Sequence, residues 1–310
     1  MDLTPLVLLV AFGLQKSIPI ALAADGELVT EKSGVLNIGL YGVMVIGAFT
    51  AAAVDYGLGS TRGAISPIAG LFAAMLIGML VNFIFAILAT KANVDQVIAG
   101  IGINIFAVGI TYVLLQRYYQ IDGTPLANTL SPIFTISGLS SGLTINISPL
   151  MAAMFIIPVL VYIFLNRTKL GLHIRAVGEN PVAAGAAGID VARTRMIATA
   201  IGGALLGMGG AYFTIDFNPN FTPDPTGSVI PAFIGLAAVI AGGWNPGYVF
   251  GMSVLFGTTV GVQYVAQGHL ATSFVFLVLM LPYLATVVTL GIASKRLRPP
   301  AALAVPFKKE

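Results

Sequence analysis

The chain has 310 residues, of which 57% are hydrophobic and only 9% charged, with a formal net charge of +3. A soluble domain runs near a quarter charged, so a water-soluble fold of this size is excluded: it could not cover so much apolar surface. The absence of cysteine removes disulfides and thiolate metal sites, and two histidines, His173 and His269, are too few for a histidine metal cluster.

A bilayer supplies the missing cover. Each crossing takes about 20 apolar residues, so the length accommodates about eight to ten crossings in one transmembrane domain, 1–310. The fold class expected is an all-α polytopic membrane protein, with some broken or re-entrant segments. Its basic residues sit in short loops between apolar runs, which reads as a topology signal rather than a nucleic-acid surface.

In chain order, spans are expected at 4–24, 36–54, 65–90, 97–115, 149–166, 196–214, 229–243, 247–265 and 271–292. The first lacks a basic leader and is interrupted by Lys16, so it reads as a retained span rather than a signal peptide. Arg167, Lys169, Arg175, Arg193 and Arg195 crowd the loop 166–195, and Lys295, Arg296, Arg298, Lys308 and Lys309 crowd the tail 294–310. With Lys32 and Lys91, 12 of the 15 basic residues fall on one side. The positive-inside rule makes that side cytoplasmic and puts Met1 outside. Arg62 and Arg117 then face outward. So do the loops 116–148 and 215–228, the second stiffened by prolines that oppose helix. They are either simple connections or a surface for a delivering protein.

The stretch 30–47 enters the membrane through Glu31, Lys32 and Ser33, and Gly34, Gly39, Gly42 and Gly47 then interrupt the apolar run around a lone amide, Asn37. Two readings are open. Either the helix is broken and its freed backbone lines a cavity, or a glycine-packed helix bonds a neighbour through Asn37. Further along, Asn82, Asn104 and Gln263 lie inside expected spans, and Asp95 and Gln96 at a mouth. On these boundaries no span carries paired carboxylates or a row of arginines, which speaks against a proton relay or a voltage sensor.

The loop 166–195 contains a helix start, Asn180 as N-cap and Pro181 as first helical residue. Ala183, Ala184, Gly185, Ala186 and Ala187 follow, and Gly188 is placed to end the helix. A helix over 181–187 with so bare a face suits a groove on another protein better than its own. Arg175, Glu179, Arg193 and Arg195 would fix its orientation by charge; the plain alternative is an ordinary basic loop. In 201–211, Gly203 and Gly207 form a small-xxx-small pair for close helix packing. Pro231 and the glycine pairs oppose a straight, complete helix over 229–243, Trp244 is placed at the inner interface, and Asn245 opens a tight turn. No phosphate-binding loop or HExxH pattern occurs, so the sequence offers no means of driving itself with ATP and no zinc-protease motif.

Three motifs together, EKSGVLNIGLYG (31–42), GLHIRAVGENPVAAGAAGIDVARTR (171–195) and GGALLGMGGA with IGLAAVIAGGWNPG (202–211 and 234–247), resemble one family. It is the permease family of bacterial ABC importers that includes the ribose and branched-chain amino acid permeases, and the likeness is strongest to the nucleoside importers. The resemblance implies a second, homologous permease subunit and a cytoplasmic ABC ATPase that binds ATP and Mg, so that no cofactor belongs to this chain. It implies an extracytoplasmic substrate-binding lipoprotein, residence in the bacterial cytoplasmic membrane, and a small neutral solute rather than nucleic acid. Residues Arg175, Glu179, Asn180, Pro181, Ala183, Ala184, Gly188 and Ile189 match the coupling loop. Asn37 and Gly39 match the broken segment near the path, and Asn104 matches an amide of the fourth span. With Tyr41 and Gln263, Asn37 and Asn104 are the candidate path residues. Gly34, Gly39, Gly42, Gly203, Gly207, Trp244 and Asn245 are candidates for packing or gating. Where the family usually carries Glu between small or apolar neighbours, this chain has Tyr41 in Leu40-Tyr41-Gly42. A sugar or branched-chain amino acid as cargo, and a stand-alone carrier or channel, are the alternatives.

Overall fold

The structure is a computed structural model that describes residues 4–59, 65–119, 124–125, 129–136, 145–217, 220–221, 225–267, 277–293 and 298–307. Arg62, Lys295, Arg296, Lys308 and Lys309 lie outside the described residues.

The architecture is a helical bundle. The elements are α1 (Thr4–Glu31), α2 (Leu40–Leu58), α3 (Ile65–Thr90), α4 (Gln96–Tyr119), α5 (Pro149–Arg167), α6 (Lys169–Glu179) and α7 (Pro181–Ala186). They continue with α8 (Val191–Tyr212), α9 (Pro225–Ala241), α10 (Pro246–Gln267) and α11 (Leu281–Ala293). Each of the nine expected spans contains one of these helices. Among the described residues α2, α3, α4, α5 and α8 (extended by its π turn) are long and apolar enough to cross a membrane. Phe72, Leu76 and Leu80 on α3, and Ile98, Ile105 and Phe106 on α4, point away from the bundle. In water such a belt would be a liability; in hydrocarbon it is the required surface.

α1 is the central helix, packed against α8, α9 and α10, while α3 lies across α2 and α8. The crossings are close because they are made of glycine. A methyl placed at Gly47 of α2 would stand 2.8 Å from the Gly207 carbonyl oxygen, and one at Gly78 of α3 would stand 3.0 Å from Gly207 Cα. Three helices therefore meet at Gly207. Without a hydrophobic drive between helices in lipid, this backbone-to-backbone packing is what holds such a bundle together.

Two small antiparallel ribbons close one end. Thr124–Pro125 pairs with Asn220–Phe221, and Phe134–Ile136 pairs with Ile145–Ile147. α8 ends beside them in a π-helical turn, Phe213–Phe217. Pro225 does not sit in a loop but starts α9, where proline at the first helical position costs no hydrogen bond. α6, α7 and the segment 298–307 lie at the opposite end.

Two expected boundaries move. α1 does not stop at residue 24 but continues to Glu31, so Asp25, Glu27 and Glu31 are helical and buried, each at most 1% exposed. The expectation that no span carries paired carboxylates is therefore wrong. Glu31 is not at a polar entry to the membrane, as expected from the sequence, but lies with Asp25 and Glu27 beneath neighbouring helices. The other change concerns the glycines of 34–47. The chain is interrupted only at 32–39, and α2 then runs unbroken from Leu40.

Candidate functional site

The interruption at 32–39 is deeply covered, and its backbone hydrogen bonds are supplied by side chains from distant elements. The Leu36 N–H donates to Gln96 Oε1 at 2.7 Å. The Asn37 N–H donates to Glu27 Oε1 at 2.9 Å. The Asn104 amide bridges the gap, donating to the Ile38 carbonyl at 2.9 Å and accepting from the Gly42 N–H at 2.8 Å. Asn37 accepts the Gly39 N–H at 2.9 Å in the turn just ahead of α2, and it donates to Asn82 Oδ1 at 3.2 Å. Asn82 in turn donates to the Thr199 carbonyl on α8 at 3.1 Å. In a bilayer each freed backbone group left unpaired costs several kcal/mol. Three amide side chains (Gln96, Asn37 and Asn104) and the Glu27 carboxylate remove that cost here, and Asn82 holds the Asn37 amide in place.

Asn37, Tyr41 and Asn104 thus meet at one place, the junction of α1, α2 and α4. Asn37 is fully buried with both ends of its amide engaged, and Tyr41 is buried in the first turn of α2. Gln263 is elsewhere. Its helix meets α1 where Gly261 lies against Gly13, toward the end of the bundle that carries the ribbons. Gly39 and Gly42 are required by closeness: methyls there would stand 3.3 Å from Gly100 Cα and 2.8 Å from the Ile103 carbonyl oxygen.

Trp244 is not an interface anchor. It is buried, and its indole N–H donates to Glu31 at the end of α1. α9 ends in a pair of reverse bonds, Gly243 N–H to Ile240 O and Trp244 N–H to Val239 O, and Gly243 takes a positive φ of 60°. That cap turns the indole under the helix. Asn245, exposed, accepts the Gly247 N–H at 3.1 Å and so opens α10.

α7 contrasts with this core. Asn180 Oδ1 accepts the Ala183 N–H at 2.9 Å, and Pro181 occupies the first helical position. At the other end Gly188 (φ +85°) donates to the Gly185 carbonyl and Ile189 to the Ala184 carbonyl, each at 3.0 Å. Both termini are satisfied within the loop itself, so a helix this short persists. Ala184 turns inward with Val177 and Val191, and Phe307 packs beside them. Val182, 71% exposed, stands out with Ala183 and Ala186. The bare face is therefore split, one side buried on its own protein and one offered outward. A cavity of about 950 Å³ opens alongside, between Lys91 and Asn93 of the α3–α4 turn and Val182, Gly185 and Ile189. Arg175 and Glu179 of α6 flank Lys32 just beyond α1. Burial pulls the Lys32 ammonium below its usual range, with Glu179 opposing and Arg175 assisting.

Comparison with known proteins agrees with this architecture. A family described as "Branched-chain amino acid transport system / permease component" matches residues 9–284. The chain belongs to that permease family. The guanosine ABC transporter permease protein NupQ of Bacillus subtilis is 33% identical over 301 residues, covering 94% of this chain and 93% of the relative. The nucleoside ABC transporter permease protein NupC of Lactococcus lactis is 30% identical over 307 residues, covering 93% and 92%. TsgC13 of Haloferax volcanii, whose name ties it to glucose ABC transport, is 29% identical over 263 residues, covering 82% and 76%. No solved structure matches. The permease is thus a multi-pass membrane subunit of the ABC transporter class, most like nucleoside permeases, and its relatives are permeases rather than enzymes.

Sequence reasoning missed Glu27, Glu31 and Asp25 as buried groups. A usable signal was present: Glu27 and Glu31 are four apart, hence on one helix face, and Asn37 needed a partner.

Proposed function

We propose that this permease translocates nucleosides into the cell by alternating access, driven by an ATPase that grips α7. The observation that carries the reading is α7 itself. It is a self-capped helix with an exposed apolar edge, set on the end where most described basic residues lie. Lys32, Lys91, Arg167, Lys169, Arg175, Arg193 and Arg195 share that end, which makes it cytoplasmic and the ribbon end extracytoplasmic.

A second, homologous permease completes the pathway, a lipoprotein delivers solute to the ribbon end, and ATP and Mg are held by the ATPase alone. ATP binding closes the ATPase, moves α7 and tilts the helices attached to it. The path opens outward, then inward after hydrolysis. In this scheme Asn37 and Asn104 act on the path by holding the interruption at 32–39 in shape. Tyr41 and Gln263 supply polar contacts for a neutral solute, since amides can bond a base edge and aromatic rings can stack on it.

The nucleoside assignment is supported by the two relatives that align over nine-tenths of the chain. The relative named for glucose keeps a sugar as the second reading. The test is uptake by proteoliposomes holding both permeases, the ATPase and the lipoprotein. Guanosine or adenosine entering with ATP, and not glucose, is the expected result. Glucose entering in preference overturns the cargo, and uptake by this chain alone overturns the ATP-driven class.

A further inference from the structure

The segment Arg298–Phe307 is tied to the bundle at four places, none of which any role above uses. The Ala302 N–H donates to the Gly178 carbonyl at the end of α6, at 2.8 Å. The Ala304 N–H donates to the Gly34 carbonyl in the interruption after α1, at 3.0 Å. Arg195, in the second turn of α8 and 1% exposed, reaches both sides: Nε donates to the Ser33 carbonyl at 3.2 Å and Nη1 to the Val305 carbonyl at 3.0 Å. Phe307 packs beside Ala184 of α7 with Val177 and Val191.

The fit is close enough to dictate residues. Gly34 has φ +88°, and a methyl there would stand 2.8 Å from Arg195 Nη2 and 3.0 Å from the Ala302 carbonyl oxygen. Ala304 holds φ +61°, an uncommon conformation for a side-chain-bearing residue. Backbone is held so only when the surroundings over-determine it.

We propose that Arg298–Phe307 is a strap that joins α7 to the α1–α2 interruption through Arg195, so that a pull on α7 reaches the pinned loop directly. Its role in transport rests on the reading of α7 as the ATPase docking helix; the mechanical link does not. The connection by chain alone is indirect. From α7 the covalent route to residue 34 passes through several full helices; α6 touches the interruption where the Gly178 backbone packs on Lys32, and the strap adds a second bridge of four residues, from Ala304 to Phe307. Arg195 is a positioning residue here, since its planar fork serves two carbonyls on different segments, which a lysine ammonium cannot reproduce.

Two variants at one position separate the strap from simple packing. Ala304→Pro removes the N–H that reaches Gly34 and cannot adopt φ +61°. Ala304→Gly keeps the donor and favours the conformation. By hydrogen exchange on the purified full chain in nanodiscs, the amides of 33–39 should exchange about tenfold faster in Ala304→Pro and at the wild-type rate in Ala304→Gly. Phe307→Ala, which touches only the far end, should loosen 183–189 instead. In the reconstituted transporter, uptake per ATP hydrolysed should fall about tenfold in Ala304→Pro and Phe307→Ala while the ATPase still copurifies. Unchanged exchange at 33–39 in Ala304→Pro overturns the link. A loosened interruption with unchanged uptake per ATP overturns its role. Failure of the wild-type chain to hold an ATPase is a different result: it removes the docking reading, and with it the strap's role, and the exchange comparison alone then decides the link.

Discussion

The interruption at 32–39 and the helix α7 are both short departures from the bundle, yet they are stabilised in opposite ways. The interruption satisfies its backbone with side chains borrowed from α1, α4 and α8, and little of it faces outward. α7 satisfies its own termini from residues within the loop and leaves Val182, Ala183 and Ala186 uncovered. Polar groups inside a membrane are costly unless paired, so a non-helical loop there persists only by being locked. A helix exposed at the end of the bundle needs no such lock, and its uncovered edge is free for another chain. One region is locked in place by its neighbours, and the other carries an open edge, where the proposed partner would grip.

That contrast can be broken from its heavier side first. Asn37→Leu strands the Gly39 N–H and the Asn82 amide together, and two buried unpaired groups should lower unfolding stability by about 3 kcal/mol, read by thermal unfolding in nanodiscs. A change under 1 kcal/mol would mean that the amide network does not hold the loop. Trp244→Phe keeps the ring but removes the donor to Glu31. About 2 kcal/mol should be lost, and Trp244→Tyr, with a hydroxyl at a different reach, should not restore it. Asn180→Ala removes only a local cap. It should cost about 1 kcal/mol, confined to α7 and visible as faster exchange at Ala183 rather than as a shift in global unfolding. A global shift from Asn180→Ala comparable to that from Asn37→Leu would erase the distinction.

The two regions also differed in how much the sequence disclosed. α7 was legible because its signals are local: Asn180, Pro181 and Gly188 span nine residues and act on one another. Its inward side was not, since Ala184 meets Val177, Val191 and Phe307 only in the folded chain. The interruption was visible as a glycine-rich stretch around a lone amide. Its partners were not, because Asn82 and Asn104 lie tens of residues from Asn37 and Ile38 and carry no pattern that pairs them, and nothing local ties Trp244 to Glu31. Helices lie at all nine expected places, and five of those described are long and apolar enough to cross a membrane. The end of α1 was misplaced because charge at a membrane edge and charge buried beneath neighbours look alike in one dimension.

The account stands most directly on α7 as the handle of an ATPase. Ala184 is a poor place to test it, being buried, whereas Val182 is 71% exposed and belongs to no internal contact cluster. Val182→Arg should leave thermal unfolding at the wild-type value while ATPase copurification and ATP-driven uptake fall at least about tenfold. Wild-type uptake by Val182→Arg in the complete transporter would contradict it.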